Sequence, residues 1–320
     1  MTGKVIIRII VDAEGKILIQ KDHAAPSVAA KGRWGQERRL EFIDTRLCWD
    51  GRLNRSALTD FFGISVPQAS LDLSRYMADA PSNTAYDTSE KAYIASQDFQ
   101  PRFTDGSSAR YLAELYALTT RVLARDISFL GFVPPTEVVR SPARVVPTAY
   151  LRQTLTAIRG KRQLTILYQT MNHPEPVRRT ISPHALGYDG FRWHGRAYCH
   201  LRSGYRDFVF ARILQSELGE ASSLDPTDDV EWQTLLEVVI GPNPALAEGP
   251  RRAIALDYGM KDGELRIPTR QAFAYYLLKR LGLLSSPPPD PAEQHIVLIN
   301  RDELRRYVTA MGPSGSHAVA

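Results

Sequence analysis

Between Arg38 and Asp79 the apolar residues fall on helical spacing, and two stop signals cut that run into three short helices. No other feature restricts the fold as tightly. Leu40, Ile43 and Leu47 share one helical face. A second helix is predicted over Ser56–Phe62 with Ser56 as its N-cap. Gly63 supplies the left-handed residue that ends it. Ser65-Val-Pro-Gln68 then reads as a capping box, in which Ser65 accepts from the third helical N–H and Gln68 reaches back to the Ser65 N–H. Pro67 sits in the first turn, where its missing N–H costs little. The third helix runs to about Asp79, with Ala69, Leu73 and Tyr76 or Met77 inward. Helix, tight glycine turn and capped helix is the helix-turn-helix arrangement. Behind it, AYDTSEKAYIA within Asn83–Phe103 supplies a β-hairpin wing. The alternative is a three-helix cluster with a structural role only. Small and polar residues on the capped helix favour a groove reader.

The remaining chain changes character several times. Over residues 1–30, VIIRIIV and KILIQ flank the turn Asp12–Gly15 as a hairpin, and Ala24–Ala30 reads as loop. Residues 107–130 read as a helix with Leu112, Leu115, Leu118 and Val122 on one stripe. Gly131–Pro147 holds four prolines and reads as a linker. A short helix follows near Tyr150–Ile158. Over 162–214 come short strands, with turns at Asp189-Gly190 and Ser203-Gly204, predicting a small twisted sheet or SH3-like barrel. After Ser222, LLEVVI and HIVLI read as strands, and Arg270–Leu281 and Asp302–Val308 as helices, in a small α+β domain. The expected organisation is an α+β multidomain chain. Its parts are an extension (1–30), a winged helix-turn-helix (31–106), a linker helix and Pro-rich linker (107–148), a sheet domain (149–222), a C-terminal domain (223–311) and a disordered tail (312–320).

Charge and cysteine content narrow the function. The net charge is +5, yet Arg144–Glu217 alone holds twelve Lys or Arg against four Asp or Glu, a balance of +8. One interior segment carries the whole excess, which suits an anion-binding surface or a solvated basic face. Cys48 and Cys199 form no C-x-x-C pair, so neither a disulfide framework nor a zinc–cysteine site is expected. The apolar stretch Val5–Val11 is short and broken by Arg8, and no run approaches the roughly 18 apolar residues of a membrane span. A soluble cytoplasmic protein is expected, with no metal, cofactor or membrane partner.

Within the basic segment, FRWHGRAYCHLR reads as a strand of period two. Arg192, His194, Arg196, Tyr198, His200 and Arg202 point one way; Phe191, Trp193, Gly195, Ala197, Cys199 and Leu201 point the other. Three arginines, two histidines and a tyrosine on one face are costly to bury without an anion. The next strand adds Arg206 and Arg212 with Phe208 and Phe210. Arginine forks match phosphate oxygens, and aromatic rings stack on bases. The composition suits a nucleotide or a nucleic-acid segment.

Arg192–Cys199 followed by Asp207–Ile213 resembles the signature of the WYL-domain transcriptional regulators, with Trp193 and Tyr198 as the first two letters of that name. Cys199 stands where that family usually has Leu. Leu167-Tyr168 and Ser182-Pro183-His184 also match. Within the family, Trp34–Leu40 and Asp257–Met260 resemble the defence-island repressors of the CapW and BrxR type, over about residues 33–310. The resemblance implies a winged helix, a central SH3/Sm-like WYL barrel and a C-terminal WCX domain, in a homodimer on an inverted-repeat operator. It also implies an effector pocket of Tyr168, Ser182, His184, Trp193, Arg196, Tyr198, Phe208 and Arg212; the residue pattern adds His200 and Arg206. The expected effector is anionic, a nucleic acid or nucleotide, and it releases the repressor from an anti-phage defence operon.

On double-stranded DNA, the outward positions at the start of the third helix are Ser65, Val66, Gln68, Ser70 and Leu71. Gln68 is the best base contact, since glutamine pairs bidentately with adenine. Arg55, Arg75 and Lys91 suit phosphate contacts. Residues 31–79 are nearly charge-balanced, so most affinity would come from dimerisation. Enzyme signatures are weak: neither a P-loop nor G-x-G-x-x-G occurs. His173-Pro-Glu175 lacks the P-C-x-x-C of zinc deaminases, and strand alternation separates Cys199 from His200. No catalytic residue is named. The competing reading is a nucleic-acid-binding accessory protein or nucleotide-acting enzyme that uses the basic sheet.

Overall fold

The computed structural model describes residues 6–11, 17–22, 28–139, 142 and 144–308. The chain divides into two compact units, residues 1–140 and 141–320.

In the first unit, β1 (Ile6–Val11) and β2 (Ile17–Asp22) pair antiparallel, as the hairpin reading expected. The turn between them, Ala24–Ser27 and the tail beyond Val308 lie outside the described residues. The long helix α1 (Val28–Asp50) begins earlier than expected and includes residues 28–30, read from sequence as loop. After the short β3 (Arg52–Leu53) come α2 (Arg55–Phe62) and α3 (Val66–Asp79). Leu40, Ile43 and Leu47 meet Leu58, Ala69, Leu73 and Tyr76 in one core, all of them buried. Around Phe42, the rings of Phe61 and Phe129 stand 4.8 and 5.3 Å away.

The caps differ in part from expectation. Asn54, not Ser56, caps α2, because its side chain accepts from the Ala57 N–H at 2.9 Å while Ser56 donates to Asn54. Gly63 does take the left-handed conformation (φ 63°) that closes α2 onto Thr59. Ser65 caps α3 by accepting from the Gln68 N–H. Gln68 does not complete the box; its amide turns to Asp72 instead.

Strands β4 (Thr84–Asp87) and β5 (Ala92–Ala95) form the wing, with β3 on the far edge in the order β3-β5-β4. A buried carboxylate ties the wing's exit to the helices. Asp44 on α1 accepts the Tyr76 hydroxyl at 2.6 Å and the backbone N–H groups of Arg102, Phe103 and Thr104 at 2.8–2.9 Å. Helix α4 (Ser108–Thr119) is half as long as the predicted 107–130 helix. Only Leu115 of its expected stripe is buried, whereas Leu112 and Val122 are exposed. A 3-10 turn at Arg125–Ile127 follows, and the described residues of the Pro-rich stretch up to Pro147 form no helix or strand.

In the second unit, α5 (Thr148–Gly160) packs on an antiparallel sheet of β6 (Arg162–Tyr168), β7 (Val177–Tyr188), β8 (Trp193–Cys199), β9 (Gly204–Val209) and β10 (Ile213–Ala221). The strand order is β10-β6-β7-β8-β9, with a 3-10 turn at Phe210–Arg212 leading into β10. Leu164, Ile166, Tyr168, Ala197, Cys199 and Phe208 form its core. The one-turn α6 (Val230–Gln233) leads to β11 (Leu235–Pro242), α7 (Glu248–Asp257), β12 (Leu265–Arg270), α8 (Gln271–Arg280), β13 (Ile296–Leu298) and α9 (Arg301–Arg305). Here β11 lies between β12 and β13, over a second core. Helix α7 and strand β12 had no clear signal in the sequence reading. The two cores belong to one compact unit. At Gly187, an added Cβ would come within 1.9 Å of the Phe273 ring, so β7 and α8 approach as closely as glycine permits.

Asp44 generates the first prediction. Asp44→Ala deprives three backbone N–H groups and one buried hydroxyl of their acceptor, whereas Tyr76→Phe removes a single donor. Asp44→Ala should lose on the order of 3 kcal/mol in urea unfolding and Tyr76→Phe distinctly less. Equal losses would mean that the loop after the wing does not depend on the carboxylate.

Candidate nucleic-acid interface and effector site

Helices α2 and α3, joined across Gly63, expose the first two turns of α3. Val66 and Leu71 are 54% and 65% exposed, although apolar. Ser65 is exposed, Gln68 and Ser70 are half-buried, and Ser70 donates to the Val66 carbonyl. Gln68 donates to Asp72, which is itself fully buried and gripped by Arg39 through two hydrogen bonds of 2.6 and 3.3 Å. Arg75 reaches Gln36 at 3.2 Å and lies near Asp79. Arg55, at the start of α2, and Lys91, in the wing's turn, are exposed and have no ion pair among the described residues.

In the sheet domain, strand alternation divides the ten expected pocket residues instead of gathering them. Register pairs Ser182 with Tyr198, Tyr198 with Tyr205, and Arg196 with Asp207. These side chains, with His184 and His200, share one face. Tyr168 and Phe208 lie in the core, and Arg206 shares the core-facing parity of Phe208. Trp193 stands at the β7–β8 hairpin tip, 48% exposed and packed on Tyr188.

The first face is occupied by the chain itself. Arg196 is 3% exposed and spends four of its five N–H groups internally. It holds Asp229 through two bonds of 2.7 and 2.8 Å, Glu231 at 2.7 Å and Asp207 at 3.3 Å. His184 reaches the same Asp229 at 2.9 Å. Asp229 also caps α6 by accepting the Trp232 N–H. Burial opposes its charge, yet the bonds from Arg196 and His184 hold its carboxyl well below the usual range. The anion that the basic strand demands is thus supplied in part from within, by a segment after β10 that sequence reasoning left unassigned. Asp225-Pro-Thr-Asp-Asp229 ahead of a short helix was the available signal, as a run of N-cap residues.

Beside this contact lies an open pocket of about 450 Å³, counted with its mouth, lined by Lys161, Arg162, Ser182, His184, Tyr205 and Asp225 among others. Ser182 is bonded to His200 at 2.9 Å and accepts from Ser222. On the opposite side of the sheet, three arginines carry buried N–H groups with no partner: Arg179 Nε, Arg206 Nε and Arg212 Nη1. Arg179 is 7% exposed, and its Nη1 donates to Cys199 Sγ at 3.9 Å. Arg212 bonds the buried Tyr168 hydroxyl, which also accepts from the Val209 N–H. None of the three has a carboxylate partner among the described residues. Arg179 was missed from sequence, although its alternation with Ile181 would have put it on the core side.

Three segments match family models: residues 35–117 the BrxR transcriptional regulator winged helix-turn-helix domain, 149–218 the WYL domain, and 235–304 the BrxR C-terminal dimerization domain. The DNA-binding transcriptional repressor CapW of Stenotrophomonas maltophilia is 43% identical over 88% of this chain and 95% of its own length. This chain belongs to the CapW family of transcriptional repressors. CapW of Escherichia coli is also 43% identical, over 85% of this chain and 91% of its own, and that of Pseudomonas aeruginosa 42%, over 86% and 93%. Among solved structures, proteasome accessory factor B/C (PafBC) of Arthrobacter aurescens aligns at 18% identity over 86% of this chain, which spans 48% of that protein, with a TM-score of 0.25. The CapW relatives are repressors, not enzymes. No helix among the described residues is long and apolar enough to cross a membrane, and no group of three or more His, Cys, Asp or Glu there could hold a metal.

Asp189 yields a pH prediction. Burial raises its carboxyl, but bonds from His194, from the N–H groups of Phe191 and Arg192 and from the Arg192 side chain bring it down to about 2. The unfolded chain, with aspartate near 3.9, takes up this proton first. Its stabilisation is therefore complete above about pH 4 and fades as pH falls toward 2. In urea titrations, the stability gap between wild type and Asp189→Asn should narrow over that window. A constant gap would contradict this assignment.

Proposed function

We propose that this chain is a homodimeric, DNA-binding repressor that sets α3 into the major groove of each half of an inverted-repeat operator and is released by an anionic effector. The CapW relationship and the exposed, capped α3 support the DNA-binding half. Gln68, Ser70, Val66 and Leu71 face the bases, with Ser65 at the helix start. Arg55 and Lys91, without an ion pair among the described residues, contact phosphate, and Arg75 joins them if it leaves Gln36. The dimerization segment at 235–304 supports two-fold operators.

For the effector, the observation that carries the reading is the set of unpartnered N–H groups on Arg179, Arg206 and Arg212. Buried donors without partners are uncommon in native proteins, and a bound anion would satisfy these three. Arginine forks and the adjacent aromatic core suit a phosphate of a nucleotide or nucleic-acid end. Arg196, by contrast, acts through Asp229: it joins the sheet to α6 and so to the dimerization segment. Ser182, His184, Tyr198 and His200 line the pocket side of that joint. Control of an anti-phage defence operon follows from the resemblance to defence-island repressors and extends the same proposal.

A gel shift on the duplex upstream of the protein's own gene, with short single-stranded DNA or cyclic nucleotides added, tests it. Arg179→Met and Arg212→Ala should keep operator affinity but lose release, which in wild type should amount to at least about fivefold. If folded variants lost operator binding instead, the arginines would be DNA contacts and the sensing role would fall. Gln68→Ala with Ser70→Ala should weaken the specific shift.

A further inference from the structure

The exposed surface of α3 is apolar along its middle. At about 100° per residue, Pro67, Leu71, Ser74 and Ala78 fall on one line. Val66 and Ser70 flank it on one side, Gln68 and Arg75 on the other. All four residues of the line are exposed. The polar flanks are drawn back by partners within the fold: Ser70 to the Val66 carbonyl, Gln68 to Asp72, and Arg75 to Gln36. No lysine or arginine occurs from Val66 to Ser74. The strongest guanine reader, an arginine fork on O6 and N7, is therefore missing from the first turns.

Asp72 also orients Gln68. Its carboxylate, buried and held by Arg39, accepts hydrogen bonds and cannot donate. The Gln68 nitrogen must face it, at 3.2 Å, which leaves Oε1 as an outward acceptor. The second amide hydrogen stays free beside that oxygen. Acceptor and donor side by side match N6 and N7 of adenine. On the floor of the major groove the one apolar group is the thymine methyl.

We infer that the operator half-site is read chiefly through thymine methyl groups packed on Val66 and Leu71, and through an adenine at Gln68 set in orientation by the Arg39–Asp72 pair. This rests on α3 being the recognition helix, and it names the bases that helix selects. An apolar reading face gains contact when methyls cover it; guanine acceptors would find no donor there.

Selection from a random duplex pool with the full-length protein tests the inference, followed by thymine-to-uracil replacement in the selected site, which deletes only the methyl. Wild type should select half-sites with T·A pairs at fixed positions. Each decisive methyl removed should weaken binding about three- to fivefold, the worth of one buried methyl. Leu71→Ala or Val66→Ala should select with relaxed thymine preference and ignore uracil at the matching position. Asp72→Asn should blur the adenine preference with less effect on thymine. If specific duplexes are selected but uracil at every half-site thymine leaves wild-type affinity unchanged, the inference is overturned while the repressor reading stands. If no duplex is enriched, the repressor reading fails and this one with it.

Discussion

A guanidinium as buried as that of Arg196 is tolerable only with its N–H groups matched, and Asp229 with Glu231 does the matching. That pairing decides how the second unit is used. It seals the basic face of β8 against the chain that follows β10, and it starts α6, since the same Asp229 caps that helix. From α6, Arg270 lies over the Trp232 ring, and Phe273 of α8 packs on both Trp232 and His194. The sheet domain and the dimerization segment therefore share one polar joint wrapped in aromatic rings. Replacing one partner would leave the other charge buried and unmatched, which costs more than the pair itself contributes.

The fold was legible where period and punctuation agreed. Leu40, Ile43 and Leu47 announced α1, Gly63 and Ser65 framed the turn, and Asp189-Gly190 marked the β7–β8 hairpin. It was not legible where tertiary partners override local signals. Ser56 is as good a cap by type as Asn54, and only geometry chooses between them. Gln68 could have closed a capping box by accepting from the Ser65 N–H, but its amide instead donates to the buried Asp72 carboxylate one turn on. The stripe on α4 failed because Leu112 and Val122 have nothing in the described fold to cover them. In the sheet, alternation within β8 and β9 does not by itself say which faces of neighbouring strands coincide. Carried across β7 and β9 by register, it would have separated Ser182 and His200 from Arg206 and added Arg179. The need for an anion near Arg196 was sound chemistry, and its source lay in Asp229, thirty-three residues on.

The DNA-binding unit makes little use of free charge. Arg38, Arg39, Arg46, Arg52 and Arg75 all lie beside carboxylates. Non-specific attraction to phosphate grows with the number of unpaired cations, and among the described residues 35–117 Arg55, Lys91 and Arg102 have no ion pair. A single winged helix of this kind would hold DNA weakly, so an operator that engages two copies at once gains most of its affinity from the linkage. Whatever alters the spacing or rigidity of the dimer then alters occupancy steeply, with no change at α3 itself.

That dependence gives the joint at Arg196 its place in the proposed mechanism. A ligand moves an equilibrium only by binding two states unequally. The unpartnered donors of Arg179 on β7, Arg206 on β9 and Arg212 in the turn before β10 lie on the core side of the sheet, whose other side carries Arg196 and Asp207. Because successive residues of β9 serve opposite faces, an anion that draws on Arg206 would pull on the same backbone that positions Asp207. Asp207, bonded to both Arg196 and Tyr276 of α8, is the residue through which such a shift meets the dimerization segment. Burial pushes its carboxyl up, against the pull of Arg196. Of the acceptors of Arg196 it also makes the longest bond, 3.3 Å against 2.7–2.8 Å for Asp229 and Glu231. A two-state element needs such a contact, strong enough to hold one arrangement and weak enough to give way to another.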